Sequence, residues 1–194
     1  MTKYTPEHIV EAIYRANTSE IATIFKGMIS DTPSWSDFIA LIDREANGSP
    51  MPGHPQAPLE ERWVNGVVIR NLFYLTVRIL DTAQIRQIQA VKDIFGPIFN
   101  AEIDPVGAFI NIIGGEKPGE AHKDGRDTIF WQCQGESEWT IYNTPETERY
   151  DTSKLVVNKV IKLAPGDVLY LKKGGLHSVR NFGPRASIAF MPNK

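Results

Sequence analysis

Apolar positions change their period along the chain. In the N-terminal third they recur at helical spacing, first at Ile9, Ile13 and Tyr14, then at Ile21, Ile24 and Phe25, then at Phe38, Ile39, Leu41 and Ile42. Side chains three or four apart share one face of a helix, so three amphipathic helices are expected. The first runs from Pro6 to Ala16, with Thr5 as N-cap and Pro6 where a missing N–H costs nothing. The second starts near Ser19. The third opens at Ser34 or Ser36 and ends before Gly48. A fourth is expected within 82–99, where Ile85, Ile88, Val91 and Phe95 keep the same period. These stripes need a surface to cover, and a helical layer on a sheet supplies one.

Between the helices the pattern breaks. The stretch 48–58 holds four prolines and two glycines, which excludes continuous helix or central strand and predicts a loop. His54 lies within it and Trp63 just beyond. Val67–Arg70 and Phe73–Leu80 are rich in β-branched and aromatic residues and read as strands. From Val106 onward, short strand-like runs alternate with turn signals. They are Phe109–Ile113, Asp127–Cys133, Ser137–Tyr142, Lys159–Leu163, Asp167–Leu171 and Ala186–Phe190, punctuated by Gly114-Gly115, Gln134-Gly135, Pro165-Gly166, Gly174-Gly175 and Gly183-Pro184. A polar segment, 143–154, is expected to project as a loop. Many short strands point to a sandwich or jelly roll, in which two packed sheets hide their faces.

Length then sets the organisation. The 194 residues favour one domain over 1–194, with 1–62 as an N-terminal helical elaboration ending in the Pro-rich loop and 63–194 as the β core. A net charge of −2 gives no basic field, which argues against nucleic acid as partner. No apolar run is long enough to span a bilayer, so no membrane role is expected. Cys133 is the single cysteine and excludes an intrachain disulfide. With an N-terminus unlike a signal peptide, this predicts a cytoplasmic protein in a reducing compartment. Cys133 itself is expected to be buried filler.

The chemistry is concentrated in the second half. His122-Lys-Asp124 places an imidazole and a carboxylate two positions apart, so at the end of a strand both point to one side. His177 follows the turn Pro165-Gly-Asp and an alternating strand. Only a rolled sheet would bring it to the other two. Two histidines and one carboxylate form a facial triad, holding one face of an iron(II) ion and leaving the other face open.

With these residues in view, the chain resembles the cupin superfamily, and more narrowly the JmjC-like and cupin-type iron(II)/2-oxoglutarate oxygenases. The resemblance rests on His122-Lys-Asp124, on Asp127-Thr-Ile-Phe-Trp-Gln-Cys-Gln-Gly135-Glu-Ser-Glu-Trp139-Thr-Ile-Tyr, and on Pro165-Gly-Asp-Val-Leu-Tyr-Leu up to His177. It covers about Val106 to Phe190. It implies a mainly β fold with N-terminal α, a double-stranded β-helix with a helical layer packed on it. It also implies Fe(II), 2-oxoglutarate and O2 as cofactor and cosubstrates. The activity implied is hydroxylation of a protein, peptide or small amino-acid-like substrate, and related cupins often form homodimers. Many such hydroxylases place Lys or Arg shortly after the strand-joining glycine to hold the distal carboxylate of 2-oxoglutarate. Here Ser137 occupies that place. Arg185-Ala-Ser187 resembles the Arg-x-Ser element of other 2-oxoglutarate oxygenases, and period two puts a guanidinium fork and a hydroxyl on one face. The alternative is an outward-facing Arg185 on an edge strand. Thr128 and Asn111 either approach the cosubstrate or serve as ordinary polar strand residues. Two alternatives remain open: a metal-dependent cupin dioxygenase or isomerase that does not use 2-oxoglutarate, and a non-enzymatic ligand-binding cupin module.

Overall fold

The computed structural model describes residues 4–46, 77–79, 82, 85–115, 118–143 and 154–193. Its strands are β1 (Ala22–Phe25), β2 (Val77–Ile79), β3 (Ile103–Asn111), β4 (His122–Lys123), β5 (Thr128–Gln134), β6 (Ser137–Tyr142), β7 (Val157–Leu163), β8 (Val168–Leu171), β9 (Leu176–Asn181) and β10 (Arg185–Pro192). Among the described residues they form a six-stranded sheet in the order β1-β8-β5-β10-β3-β2 and a four-stranded sheet in the order β4-β9-β6-β7. All pairings are antiparallel. Consecutive strands β5 and β6 fall in different sheets, as a roll requires. Gly135 makes that passage with φ of +64°, and a Cβ there would lie 1.9 Å from the Pro184 carbonyl oxygen. Only glycine fits so close an approach.

Period-two alternation sorts the large sheet's side chains. Ile129, Trp131 and Cys133 of β5, Val168 and Tyr170 of β8, and Ala186, Ile188 and Phe190 of β10 join one buried cluster. That cluster also takes Ile9 and Ile13 of α1 (Pro6–Arg15), Phe38 and Leu41 of α2 (Trp35–Ala46), and Val91 and Phe95 of α3 (Ile88–Phe99). The helices therefore cover this face of the large sheet. Opposite-parity residues Phe130, Leu169, Leu171 and Ala189 pack with Trp139, Ile141, Ile161 and Leu163 of the small sheet. Cys133 is fully buried, and burial raises its thiol well above the ordinary value, which suits a filler.

The helix starts follow the expected chemistry. Thr5 Oγ1 accepts a hydrogen bond from the His8 N–H at the head of α1. Before α2, Asp37 accepts from the Ser34 N–H and hydroxyl, a reciprocal cap. The expected second helix is corrected: a π-helical turn, Ala16–Glu20, ends at Ile21 with φ of +68°, and Ala22–Phe25 pairs with β8 as an edge strand. Three apolar residues within five positions fit either period, and sheet pairing decides. The strand Leu176–Asn181 was not expected, because Ser178, Arg180 and Asn181 hide its apolar content. Of the strand expected over 73–80, Val77–Ile79 is seen. The 48–58 loop with His54, Trp63, the 67–70 strand and most of the 143–154 segment lie outside the described residues.

Asp167 ties the N-terminal strand to the roll. Its carboxylate accepts from the Gly27 N–H at 2.8 Å, from Lys26 Nζ at 2.7 Å and from the Ala164 N–H at 2.8 Å. The Pro-Gly-Asp turn thus reaches beyond itself to the segment leaving β1. No described helix is long and apolar enough to cross a membrane.

Candidate metal centre

The register of the small sheet brings the three sequence-distant ligands together. His122 in β4 pairs directly with His177 in β9. Asp124 follows β4, and its carbonyl accepts from the Gly174 N–H at 2.9 Å, so the chain entering β9 is pinned beside it. The candidate ligand atoms of His122, Asp124 and His177 all lie within 4.8 Å of one another, close enough to hold one metal ion. The rings of the two histidines are 4.3 Å apart.

Each ligand is oriented from behind. His122 Nδ1 lies 3.1 Å from the Glu120 carbonyl, and His177 Nδ1 lies 3.0 Å from the Gly175 carbonyl. A carbonyl only accepts, so each Nδ1 donates and Nε2 is the ring nitrogen left to face a metal. This is the outer hydrogen bond that metal-binding imidazoles usually make. Asp124 Oδ2 accepts from Thr128 Oγ1 at 3.2 Å, which leaves Oδ1 to the site. His177 is buried, and burial lowers its pKa, which favours the neutral form that ligates.

Trp139 was expected to be core, and it is buried. It also lies against His177 with ring centres 5.2 Å apart and planes 20° apart, so it fixes the imidazole plane. Its indole N–H donates to Ser137 Oγ at 3.1 Å, and Ser137 in turn donates to Gln132 Oε1 at 2.9 Å. The residue that stands where a basic side chain was expected therefore anchors the tryptophan behind a candidate metal ligand.

A cavity of about 260 Å³ opens over the three ligands between the two sheets. Phe109, Phe130, Trp139 and Val179 give it apolar walls, and Arg185 and Ser187 give it a polar end. Arg185 is 4% exposed and faces inward, which rejects the outward-facing alternative. Its Nη1 donates to Ser187 Oγ at 2.8 Å and its Nε to Asn111 Oδ1 at 2.9 Å. Burial lowers the guanidinium pKa to about 10, so it remains a cation at neutral pH. Asn111 and Thr128 lie one layer behind the lining, where Asn111 orients Arg185 and Thr128 orients Asp124. Sequence reasoning missed Asn181, Glu120 and Val179 as lining residues. Val179 and Asn181 share His177's strand parity, a signal available once β9 is known.

Residues 104–191 match the family model of the JmjC domain. The whole chain overlays on the Escherichia coli ribosomal oxygenase YcfD with a TM-score of 0.62 at 11% identity, covering 53% of that protein. A structure of YcfD from Escherichia coli in complex with cobalt and 2-oxoglutarate overlays on 94% of this chain and 51% of its own, with a TM-score of 0.60 at 12% identity. The chain spans about half the length of these solved proteins, and at such identity the likeness is one of fold. No curated protein matches it in sequence. The likeness is therefore to a JmjC domain over residues 104–191 and to the fold of these solved proteins over the described chain.

Proposed function

We propose that the protein is an iron(II)- and 2-oxoglutarate-dependent oxygenase that hydroxylates a protein or peptide side chain or an amino-acid-like substrate. One observation carries the reading: a His-Asp-His cluster within 4.8 Å shares a cavity with a buried, inward-facing arginine. Two imidazoles and a carboxylate suit iron(II) better than a sulfur-seeking ion. Iron bound there supplies dioxygen activation, coupled to decarboxylation, so that substrate C–H, O2 and 2-oxoglutarate give C–OH, succinate and CO2.

The chain's own residues do the remaining work. His122, Asp124 and His177 would hold the metal. Arg185 and Ser187 take the distal carboxylate of 2-oxoglutarate, the guanidinium offering planar donors matched to two oxygens. Asn111 and Thr128 act as positioning residues for Arg185 and Asp124. Phe109, Phe130 and Trp139 exclude water from the reacting centre and so strengthen each polar contact inside it. Residues 1–194 act as one domain, with the N-terminal helices buttressing the large sheet. The substrate class is supported by the name of a solved protein of similar fold, a ribosomal oxygenase.

The test is 2-oxoglutarate turnover by purified protein with iron(II) and ascorbate. Succinate should appear on aeration, after a weak visible absorption band forms under anaerobic conditions. No band and no succinate would overturn the reading. Ser137, committed to Trp139 and Gln132, favours one rival: a cupin enzyme that binds metal without 2-oxoglutarate. That rival predicts metal binding without 2-oxoglutarate binding, whether or not Arg185→Ala is present.

A further inference from the structure

One residue of the N-terminal third sits in a backbone conformation that its side chain disfavours. Ile21 has φ of +68°, and a β-branched residue there is an outlier. It ends the π-helical turn Ala16–Glu20, whose closing bond runs from the Ile21 N–H to the Ala16 carbonyl at 2.9 Å. Strained conformations and π-turns persist where surrounding contacts hold them, and they cluster at functional sites. The contacts that hold Ile21 come from the turn between β8 and β9. Its carbonyl accepts from the Lys172 N–H at 3.1 Å. Its Cγ2 fills the space beside Gly175, where an added Cβ would come within 2.8 Å of it. Gly175 has no left-handed φ, so glycine serves there for room. Asn17, in the same π-turn, is held by the same region. Its side-chain oxygen accepts from the Tyr170 hydroxyl at 2.9 Å and its carbonyl from Lys172 Nζ at 3.3 Å.

The turn held by Ile21 touches two of the three candidate metal ligands. The Gly175 carbonyl accepts from His177 Nδ1 at 3.0 Å, and the Gly174 N–H donates to the Asp124 carbonyl at 2.9 Å. The Gly175 N–H donates to the Lys172 carbonyl at 3.0 Å, so 172–175 is one closed turn. A methyl bonded directly to a branched Cβ has little freedom of its own, because χ1 is stiff. Ile21 is therefore a fixed stop against the turn, and the direction of the Gly175 carbonyl orients the His177 ring. We infer that Ile21 is a positioning residue for the candidate metal centre, acting through Gly175 on His177. The inference rests on the metal reading of His122, Asp124 and His177, and it gives the N-terminal turn a part in that site beyond covering the sheet. Ile21 is also 8% exposed in the buried cluster with Leu171 and Trp139. A role in packing alone makes the opposite prediction: truncation would lower stability and leave metal affinity per folded molecule unchanged.

Cobalt(II) titration of wild type, Ile21→Ala and Ile21→Val tests it, with each affinity taken per folded molecule. Ile21→Ala, which loses Cγ2, should bind at least about tenfold more weakly and with an altered visible spectrum, the scale for disturbing what orients a metal ligand. Ile21→Val keeps Cγ2 and should stay within about threefold of wild type, with the wild-type spectrum. Phe95→Ala, a truncation in the other buried cluster, should lower the melting temperature and leave both affinity and spectrum unchanged. If Ile21→Ala does not fold, Gly175→Ala takes its place. Its new Cβ meets the stiff Ile21 methyl and displaces the same carbonyl, so cobalt(II) should again bind at least about tenfold more weakly. Wild-type affinity and spectrum in Ile21→Ala, or in Gly175→Ala where that variant replaces it, would overturn the inference alone, as would Ile21→Val binding as weakly as Ile21→Ala. A wild-type protein that binds no cobalt(II) would instead overturn the metal reading, and the inference with it.

Discussion

The two sheets face the same interior but are built differently. β5, β8 and β10 of the large sheet are buried on both faces, against helices on one side and the small sheet on the other. β6 of the small sheet alternates buried and half-buried, and β7 is mostly exposed. The large sheet contributes the cosubstrate candidates Arg185 and Ser187, and the small sheet contributes His122 and His177. The difference teaches a division of labour. A scaffold packed on both faces can bury a cation without yielding, whereas the metal ligands sit on a thinner layer whose edge is open to what must enter.

Substitutions should separate the two layers. The largest effect is expected at the small sheet's centre, where His177→Ala should abolish stoichiometric metal binding while the melting temperature shifts little. Arg185→Ala should weaken 2-oxoglutarate about 100-fold, the scale for losing a buried charged partner, with cobalt(II) binding retained. On the large sheet's helical side, Phe95→Ala should cost about 3–5 kcal/mol in denaturant unfolding and leave metal affinity per folded molecule unchanged. Trp139→Ala removes a neighbour of a ligand rather than a ligand, and metal affinity should fall about 10-fold. The smallest effect concerns pH. Burial, followed by the nearby Asp127 carboxylate, raises Tyr170 above its ordinary 10.0. The unfolded chain then releases this proton first, so stability is full below that value and declines as pH rises beyond it. Tyr170→Phe should flatten that alkaline decline in thermal melts. A metal site lost with Phe95→Ala and kept with His177→Ala would break the comparison between the sheets.

Much of this was legible in the chain. The triad was readable because a facial site needs few residues of fixed type, and because i and i+2 share a strand face. Period two put Arg185 and Ser187 on one face, and their burial shows that face to be the inner one. β1 was misread, since three apolar residues in five fit a helix until an edge strand offers partners. β9 was passed over because only Leu176 and Val179 among its six residues are apolar. What no spacing could show was the polar relay Gln132–Ser137–Trp139 or the chain Arg185–Asn111–Asn181. Each depends on which atoms meet between strands distant in sequence.

Cobalt(II) titration of the purified protein tests the central claim most directly. One equivalent should bind, the visible spectrum should shift when 2-oxoglutarate is added, and His122→Ala, Asp124→Ala and His177→Ala should each abolish that binding. A protein that binds no cobalt(II), or binds it equally well after all three substitutions, would contradict the account.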